Sequence, residues 1–224
     1  MRICVIIPAH NEARFIGPLI TGIKQKGIDV VVIDDGSTDH TGSLAQAAGA
    51  HVMQNLRRSG KGASLQKGFD YALKNNYDGV ITMDGDGQHA VEDLEFFLKV
   101  IQASPQSIVT GDRSRTNKHM PLVRRLTNQF MSGLISLICR QDIPDTQCGF
   151  RYISSSILKQ MKLECHDFEI ETEVLVQASK KGFKVHSVSV QTIYRDEASK
   201  INPLRDTVRF FSYIFKEVVV KKIR

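Results

Sequence analysis

The feature of this 224-residue sequence that most constrains its fold is an alternation of largely apolar, strand-forming runs with stretches that have helical spacing. Three of the runs cover residues 3–7, 29–33 and 78–83. Continuous apolar runs of this kind are typical of parallel strands that are buried on both faces. The pattern therefore predicts an α/β fold with a mostly parallel central sheet and helices on both faces.

The polar loops that follow the strands are the expected place for a functional site. In a sheet of this type, ligands bind at the carboxyl ends of the strands. Four polar loops fall at that edge, at residues 8–12, 34–39, 57–62 and 84–89. A chain of this length with 42% hydrophobic residues fits one large domain better than two small ones, so we expect one site in one domain.

The last of these loops carries two carboxylates, Asp84 and Asp86, separated by Gly85. A glycine lets the backbone approach a ligand closely. A hard divalent cation takes carboxylate oxygens on one side and phosphate oxygens on the other, and so neutralises a departing nucleotide. The loop suits a metal that holds a diphosphate, although Asp, Gly and Gln are also common in ordinary solvated turns.

Two further loops have both a functional and a structural interpretation. Asp34 and Asp35 are placed to accept hydrogen bonds from a nucleobase or a ribose, or they belong to a turn that caps the next helix. Lys61 lies between two glycines, but the segment does not have the spacing of a P-loop. It remains suited to a helix start near a phosphate.

The net charge indicates the kind of partner, and the cysteine spacing indicates the redox compartment. The 30 Lys and Arg against 24 Asp and Glu give a net charge of +6, which suits anionic partners without choosing among them. Aromatic interleaving and a recognisable module are missing, so we expect no nucleic-acid partner. The four cysteines lack Cys-x-x-Cys spacing, which indicates neither a zinc site nor a disulfide framework and favours a reducing, cytoplasmic compartment.

The sequence predicts neither a secretion signal nor a membrane-spanning helix. Residues 1–7 are predicted to form a strand and not a secretion signal. No run approaches the roughly 18 apolar residues that a membrane-spanning helix needs. Any membrane association is therefore expected to be peripheral, on the cytoplasmic face.

The motifs together resemble a known family. The family 2 inverting glycosyltransferases with the GT-A fold have similar motifs in the same order as residues 5–12, 32–39, 60–62 and 84–89. The later half looks like the polyprenyl-phosphate sugar synthases, which include the dolichol-phosphate mannose synthases, at residues 145–151, 168–171, 195 and 199–200. The chain departs from many relatives at Ala13 and at 90–91, where neither change removes a proposed ligand.

The resemblance implies a single GT-A domain over residues 1–224. Residues 1–112 are then the half that binds the nucleotide sugar, and residues 113–202 the half that binds the acceptor. Residues 203–224 are expected to form a basic amphipathic helix. The donor is expected to be a UDP- or GDP-hexose, and Mg²⁺ or Mn²⁺ is the expected cofactor.

The same resemblance implies roles for individual residues. Those expected to bind the nucleotide sugar are Pro8, Ala9, Asn11, Glu12, Asp34, Asp35, Lys61, Asp84 and Gly85. The metal ligands are expected to be Asp84, Asp86 and Gln88. Asp86, Arg195, Lys200 and Glu171 are the expected catalytic residues, because the two cations would stabilise the leaving diphosphate and Glu171 would face the acceptor.

The expected reaction is a single displacement with inversion at C1 of the sugar. The acceptor is expected to be a polyprenyl phosphate, bound by Arg113, Arg124, Arg125 or Arg151. A phosphate oxygen is already anionic at neutral pH, so this acceptor needs no strong general base. The alternative is a saccharide or protein hydroxyl, for which the candidate bases are Asp112, Asp145, Glu169 and Glu171. A non-catalytic nucleotide-sugar-binding protein is a remote alternative.

The segment 120–139 combines Arg124 and Arg125 with apolar residues at helical spacing. It suits an amphipathic helix that lies in a membrane interface, with arginines near lipid phosphates. It equally suits a helix that packs on the neighbouring sheet, because an apolar stripe looks the same in both cases. Both interpretations stay open from the sequence.

Overall fold

The computed structural model describes residues 1–114, 122–193, 203–215 and 217, without the side chains of 123, 124 and 203–207. The strands are β1 (Ile3–Ala9), β2 (Asp29–Asp34), β3 (His51–Gln54), β4 (Gly79–Thr82), β5 (Ile108–Asp112), β6 (Arg151–Ser154) and β7 (Val185–Ser189). The helices are α1 (Ile16–Gln25), α2 (Thr41–Ala47), α3 (Lys61–Lys74), α4 (Leu94–Ala103), α5 (Leu122–Cys139), α6 (Ser155–Leu158), α7 (Ile170–Lys180) and α8 (Pro203–Phe215). A 3₁₀ turn at Val91–Asp93 precedes α4.

The seven strands form one sheet in the order β3-β2-β1-β4-β6-β5-β7. Strand β6 runs antiparallel to both of its neighbours, and the other pairings are parallel. The prediction of a mostly parallel sheet is confirmed.

Helices cover both faces of the sheet because successive strand residues point to opposite sides. On one side, Ile6 of β1 packs with Leu65 and Phe69 of α3, in a core that also includes residues of α5, α7 and α8. On the other side, Val5 and Ile7 pack in a second core with residues of α1, α2 and α4. The predicted placement of helices on both faces is confirmed.

Helix α5 has one side packed on the domain and one apolar side exposed. Ile135 is fully buried and Met131, Leu134 and Ile138 are partly buried against the core, so this side packs on the domain. The other side exposes apolar residues, which are Leu122, Leu126, Phe130 and Leu137. Within the described ranges, no helix is both long enough and apolar enough to cross a bilayer.

A crevice opens where β1 and β4 separate. Pairing between the two strands ends with Ile6 opposite Thr82, whereas β1 continues along β2 to Ala9. The carbonyl of Ile6 accepts from Met83 N on the β4 side and that of Ala9 from Asp35 N on the β2 side. Pro8 therefore faces the side on which β4 has ended, where its missing N–H removes no bond from the sheet. The strand order also reverses here, because β2 and β3 lie on one side of β1 and β4 lies on the other. The point at which the strand order reverses is where α/β sheets bind ligands.

We expect Gly68→Ala to destabilise the domain. A Cβ at Gly68 of α3 would lie 2.5 Å from Cγ2 of the buried Ile6, whose β-branched side chain cannot turn away easily. The free energy of unfolding, measured by urea denaturation, should fall by about 1–3 kcal/mol.

The matched control is Gly133→Ala in α5, where a Cβ would meet nothing within 4 Å. This change should be neutral or should stabilise the protein by up to about 1 kcal/mol, because alanine has the higher helix propensity. Equal stability of the two variants would contradict the close packing of α3 on β1.

Candidate active site

The loop after β4 brings the two predicted carboxylates to the crevice. The backbone turns sharply because Gln88 N donates to Asp86 Oδ1 at 2.9 Å and Gly87 has a φ of +69°. A Cβ at Gly85 would lie 3.2 Å from Cγ of Glu12, so the loop lies directly against the loop after β1. The first and fourth predicted loops therefore form one surface.

Lys61, the first residue of α3, contacts carboxylates from both proposed halves of the chain. Its Nζ lies 2.5 Å from Asp84 Oδ1 and 2.7 Å from Glu171 Oε1 in the first turn of α7. The ring of Phe168 lies 5.5 Å from the same ammonium group. Burial alone would lower the pKa of Lys61, but the charges of Asp84 and Glu171 raise it. Three predicted site residues thus meet at one point.

The pKa values of the two neighbouring carboxyls move in opposite directions. Burial would raise the pKa of Asp84, yet Lys61 and His89 hold it well below its usual range. Burial and the charge of Asp84 raise the pKa of Asp86. This corner of the site therefore holds more negative charge than Lys61 balances, and a bound cation would relieve the excess.

The donors fit a hard divalent cation. Asp84 and Asp86 offer carboxylate oxygens, which Mg²⁺ and Mn²⁺ prefer. In the part of the chain that the structure describes, no group of three or more His, Cys, Asp or Glu side chains is placed to hold a metal. Two carboxylates would leave coordination positions for phosphate oxygens, as the usual Mg²⁺ sites of phosphate-transferring enzymes do. Gln88 is held through its backbone, whose N–H donates to Asp86 Oδ1 and whose carbonyl accepts from Ile193 N.

The aspartates that follow β2 are held by internal hydrogen bonds. Asp35 accepts from Ser59 N at 2.8 Å and Gly60 N at 2.9 Å, and also from the amide of Asn55. Asp34 accepts from the backbone N–H of residue 37 and the side chain of residue 54. Asp35 therefore fixes the loop that positions the start of α3, besides lying at the edge of the crevice.

The loop after β1 is tied to the loop after β2 in the same way. Asn11 has a φ of +55°, and its Oδ1 accepts a hydrogen bond from Thr38 N at 2.8 Å. Glu12 N donates to Thr41 Oγ1 at 2.8 Å. The predicted nucleotide-sugar residues thus lie at one edge of the sheet, with Pro8 and Ala9 at the end of β1.

The buried position of Arg151 does not support its expected role in acceptor binding. The side chain is 2% exposed, and its guanidinium donates to the backbone carbonyls of Thr146, Cys148 and Glu171. These bonds use all three guanidinium nitrogens to hold the 145–151 segment against α7. Arg151 therefore stabilises the structure around the site, and we no longer expect it to bind the acceptor phosphate.

The other predicted arginines differ in their surroundings. Arg113 donates through Nε and Nη2 to the two carboxylate oxygens of Asp145, at 2.7 and 3.0 Å. Arg125 is exposed on α5 and lines a small cleft with Ser114 and Asp145. The side chain of Arg124 lies outside the described residues, as do Arg195 and Lys200.

The segment that leads to Arg195 is attached to the loop that carries Asp84 and Asp86. Ile193 N donates to Gln88 O at 3.0 Å, and Thr192 forms a β-bridge with His89. Just before them, Gln191 N donates to Asp93 Oδ2 at 2.6 Å. Residue 193, the last one described before Arg195, therefore lies beside the loop that carries Asp84 and Asp86.

Three residues that the sequence-based predictions omitted contribute to the site. His89 is 5% exposed, lies with Nε2 3.4 Å from Asp84 Oδ2 and packs its ring against Phe150. A Cβ at Gly149 would lie 2.6 Å from the same oxygen, so only glycine leaves room for the carboxylate. Burial raises the pKa of Asp93, which anchors Gln191. His89 and Gly149 lie within the segments 84–89 and 145–151, whose resemblance to the family was the sequence signal for them.

Residues 4–162 match the Glycosyl transferase family 2. The chain belongs to this family. A UDP-N-acetylglucosamine–dolichyl-phosphate N-acetylglucosaminyltransferase of Methanococcus voltae is 27% identical to it, over 87% of this chain and 86% of the relative. A polyprenol monophosphomannose synthase of Mycolicibacterium smegmatis is 29% identical, over 87% of this chain and 78% of the relative. Family 2 membership and the resemblance to polyprenyl-phosphate sugar synthases are confirmed.

Solved structures confirm the fold. A crystal structure of glucosyl-3-phosphoglycerate synthase from Mycobacterium tuberculosis, in complex with Mg²⁺ and UDP, has a TM-score of 0.76 to this chain. The match covers 96% of this chain and 79% of the other, at 18% sequence identity. The prediction of a GT-A α/β domain is confirmed by this likeness, and the chain is a glycosyltransferase by its family.

We expect Arg151→Met to destabilise the domain, because it leaves three buried carbonyls without their donor. The free energy of unfolding should fall by more than about 2 kcal/mol in urea denaturation. Arg125→Met, on an exposed side chain, is the control and should stay within about 0.5 kcal/mol of the parent protein. A stable Arg151→Met variant with weakened acceptor binding would restore the original assignment.

Proposed function

We propose that this glycosyltransferase moves a hexose from a UDP- or GDP-sugar to a polyprenyl phosphate at a membrane surface, with inversion and with the help of Mg²⁺ or Mn²⁺. The observation that carries the proposal is the position of Asp84 and Asp86 at the crevice between β1 and β4, with Lys61 and Glu171 beside them. The names of the two relatives, which refer to dolichyl phosphate and polyprenol monophosphomannose, support the class of acceptor.

The nucleotide sugar is assigned to residues 1–112. Asn11, Glu12 and Asp35 line the edge where the first two loops meet, and they offer acceptors for base and ribose hydroxyls and amides. Asp84 and Asp86 would hold the metal, which when bound supplies positive charge to the diphosphate. The acceptor is assigned to residues 113–202.

The leaving diphosphate needs further cations from the chain itself. Arg195 and Lys200 are assigned this role because residue 193 is hydrogen-bonded to Gln88. Residue 193 itself lies beside the loop that carries Asp84 and Asp86. An arginine and a lysine there would stabilise the charge that develops as the bond to the sugar breaks.

The chemistry of the neighbouring acids favours a phosphate as the nucleophile. Burial would raise the pKa of Asp145, but the hydrogen bonds and charge of Arg113 hold it below its usual value. Glu171 is paired with Lys61. Neither acid is placed as a free proton acceptor, which a hydroxyl acceptor would require. A phosphate oxygen attacks C1 without giving up a proton, and the nucleoside diphosphate leaves with the electron pair of the broken bond.

The acceptor phosphate also needs a basic partner. Since Arg113 is engaged by Asp145 and Arg151 by backbone carbonyls, we assign this role first to Arg125, with Arg124 as the neighbouring cation. Arg125 lies on α5 and lines the same cleft as Asp145. The same helix exposes apolar side chains, so α5 would contact both the lipid chain and the phosphate of the acceptor.

The exposed apolar side of α5 is the proposed contact with the membrane. Leu122, Leu126 and Phe130 follow one another at four-residue spacing and therefore lie on one side of the helix, together with Leu137. An amphipathic helix with such a side and with arginines lies in the plane of the lipid headgroups. This surface would bring the site to a polyprenyl phosphate without a membrane-spanning segment in the described ranges.

The reaction is tested by incubating the protein with Mg²⁺ or Mn²⁺, a panel of UDP- and GDP-sugars, and undecaprenyl phosphate in detergent. We expect nucleoside diphosphate release that depends on the lipid, with a sugar-phosphate lipid identified by mass. Asp86→Asn should lower the rate about 10²-fold or more, because a charge partner of the metal is lost. Asp70→Asn, on the exposed side of α3, is the control and should keep the parent rate.

The result separates the two classes of acceptor. Release that needs a saccharide or a protein, and not the lipid, would replace the proposed acceptor by the hydroxyl alternative. Activity of Asp86→Asn equal to that of the parent protein would refute both versions of the proposal.

Membrane binding is tested by sedimentation with vesicles that contain phosphatidylglycerol. Changing Leu126, Phe130 and Leu137 together to Ser should abolish cosedimentation and leave the thermal unfolding temperature unchanged, because the three side chains are exposed. The control changes Leu44 and Phe96 to Ser, two exposed residues of α2 and α4 that lie on the opposite face of the sheet from α5. If the α5 variant still sediments with vesicles, this helix is not the membrane contact.

A further inference from the structure

Lys61 contacts Oδ1 of Asp84, one of the carboxylate oxygens that the proposed metal site needs. Its Nζ is 2.5 Å from Asp84 Oδ1, so an ammonium group and a metal ion cannot use that oxygen freely at the same time. The other oxygen of Asp84 faces Nε2 of His89 at 3.4 Å. The carboxylate is therefore held between two side chains of the protein itself.

The fold holds Lys61 in this position. A Cβ at Gly60 would lie 2.5 Å from His166 O, and one at Gly62 would lie 2.5 Å from Cys165 O. The segment around His166 thus packs directly on the start of α3, and Ala63 N donates to His166 O at 3.0 Å. Lys61 follows this closely packed turn, and only 15% of its side chain is exposed. Its ion pair with Asp84 is therefore held by the surrounding structure, unlike a contact between two exposed side chains.

The local charge explains why the lysine is there. Asp84, Asp86 and Glu171 bring three carboxylates to this region, and Lys61 is the cation in direct contact with two of them. Without a metal, an unbalanced cluster of this kind would be costly to bury. A bound divalent cation would take over this balancing role, and the ammonium group beside it would then be repelled.

We propose that Lys61 is an internal substitute for the metal: it neutralises Asp84 in the donor-free protein and yields that oxygen when the metal enters together with a nucleoside diphosphate. The inference rests on the proposed function, because it assumes that Asp84 and Asp86 hold the metal. Lys61 keeps its second partner, Glu171, at 2.7 Å. Its freed charge then has a new anionic neighbour in the diphosphate.

If so, Lys61 increases the coupling between metal binding and nucleotide binding, so that each ligand strengthens the binding of the other. Metal alone must displace Lys61 with no new partner for the ammonium, so it should bind weakly. Metal with UDP or GDP supplies the partner, so it should bind more tightly. By linkage, removing Lys61 should strengthen binding of the metal alone and reduce the further gain from the nucleotide.

The test is titration of Mn²⁺ into the full chain by isothermal calorimetry, without nucleotide and without lipid. Lys61→Met is expected to bind Mn²⁺ about tenfold more tightly than the parent protein. Lys74→Met removes the same charge from the far end of α3, about 20 Å along the helix, and should leave the affinity unchanged. Lys61→Arg keeps the charge and should bind as weakly as the parent protein.

A neutral variant that keeps a hydrogen-bond donor guards against misfolding. Lys61→Gln retains a polar N–H group on a side chain one atom shorter, so it is expected to fold and to bind Mn²⁺ as tightly as Lys61→Met. Equal or weaker Mn²⁺ binding by the folded neutral variants would overturn the inference. A second titration with UDP or GDP present should show a smaller gain for these variants than for the parent protein. These titrations do not depend on turnover, so they are separate from the lipid-dependent test of the proposed function.

Discussion

The contact between Lys61 and the two carboxylates of Asp84 and Glu171 is the interaction on which the rest of the site depends. Lys61 comes from the start of α3, Asp84 from the end of β4 and Glu171 from the first turn of α7. These elements meet only because the sheet places α3 and α7 on the same face, over a shared core. A buried ion pair of this kind requires close geometry, since an unmatched charge would be far more costly than the pair is favourable. The hydrophobic core thus determines where charge can be placed, and the charge determines where an anionic substrate can bind.

Much of the fold and part of the site could be predicted from the sequence. The apolar runs that became β1, β2 and β4 are continuous because these strands are buried on both faces, and the loops that follow them must then meet at one edge. Asp84, Lys61 and Glu171, all predicted site residues, are accordingly brought into contact by the fold. The antiparallel direction of strand β6 could not be predicted, because it depends on a long connection that has no local signal.

What could not be predicted are contacts that depend on how the chain packs. Arg151 looks like any other arginine of a phosphate site in the sequence, yet the carbonyls of Thr146, Cys148 and Glu171 surround it. Met131 and Phe130 are adjacent and both apolar, yet one packs on the core and the other faces outward. Composition and spacing report which side chains are apolar or charged, and only the packing decides which side of a helix is covered.

The pairing of acids with bases throughout the site explains why an anionic nucleophile suits it. Asp145 is matched by Arg113 and Glu171 by Lys61, so two of the four acids considered as bases are already neutralised. An acid that must collect a proton works best when its environment raises its pKa towards the working pH. Burial tends to do this for Asp145, but Arg113 reverses the effect and keeps the carboxyl ionised and engaged. These two paired acids offer fixed charges and hydrogen bonds in place of a proton acceptor. Such an arrangement suits the proposed chemistry, in which a sugar is transferred between two anions, the leaving diphosphate and the attacking phosphate.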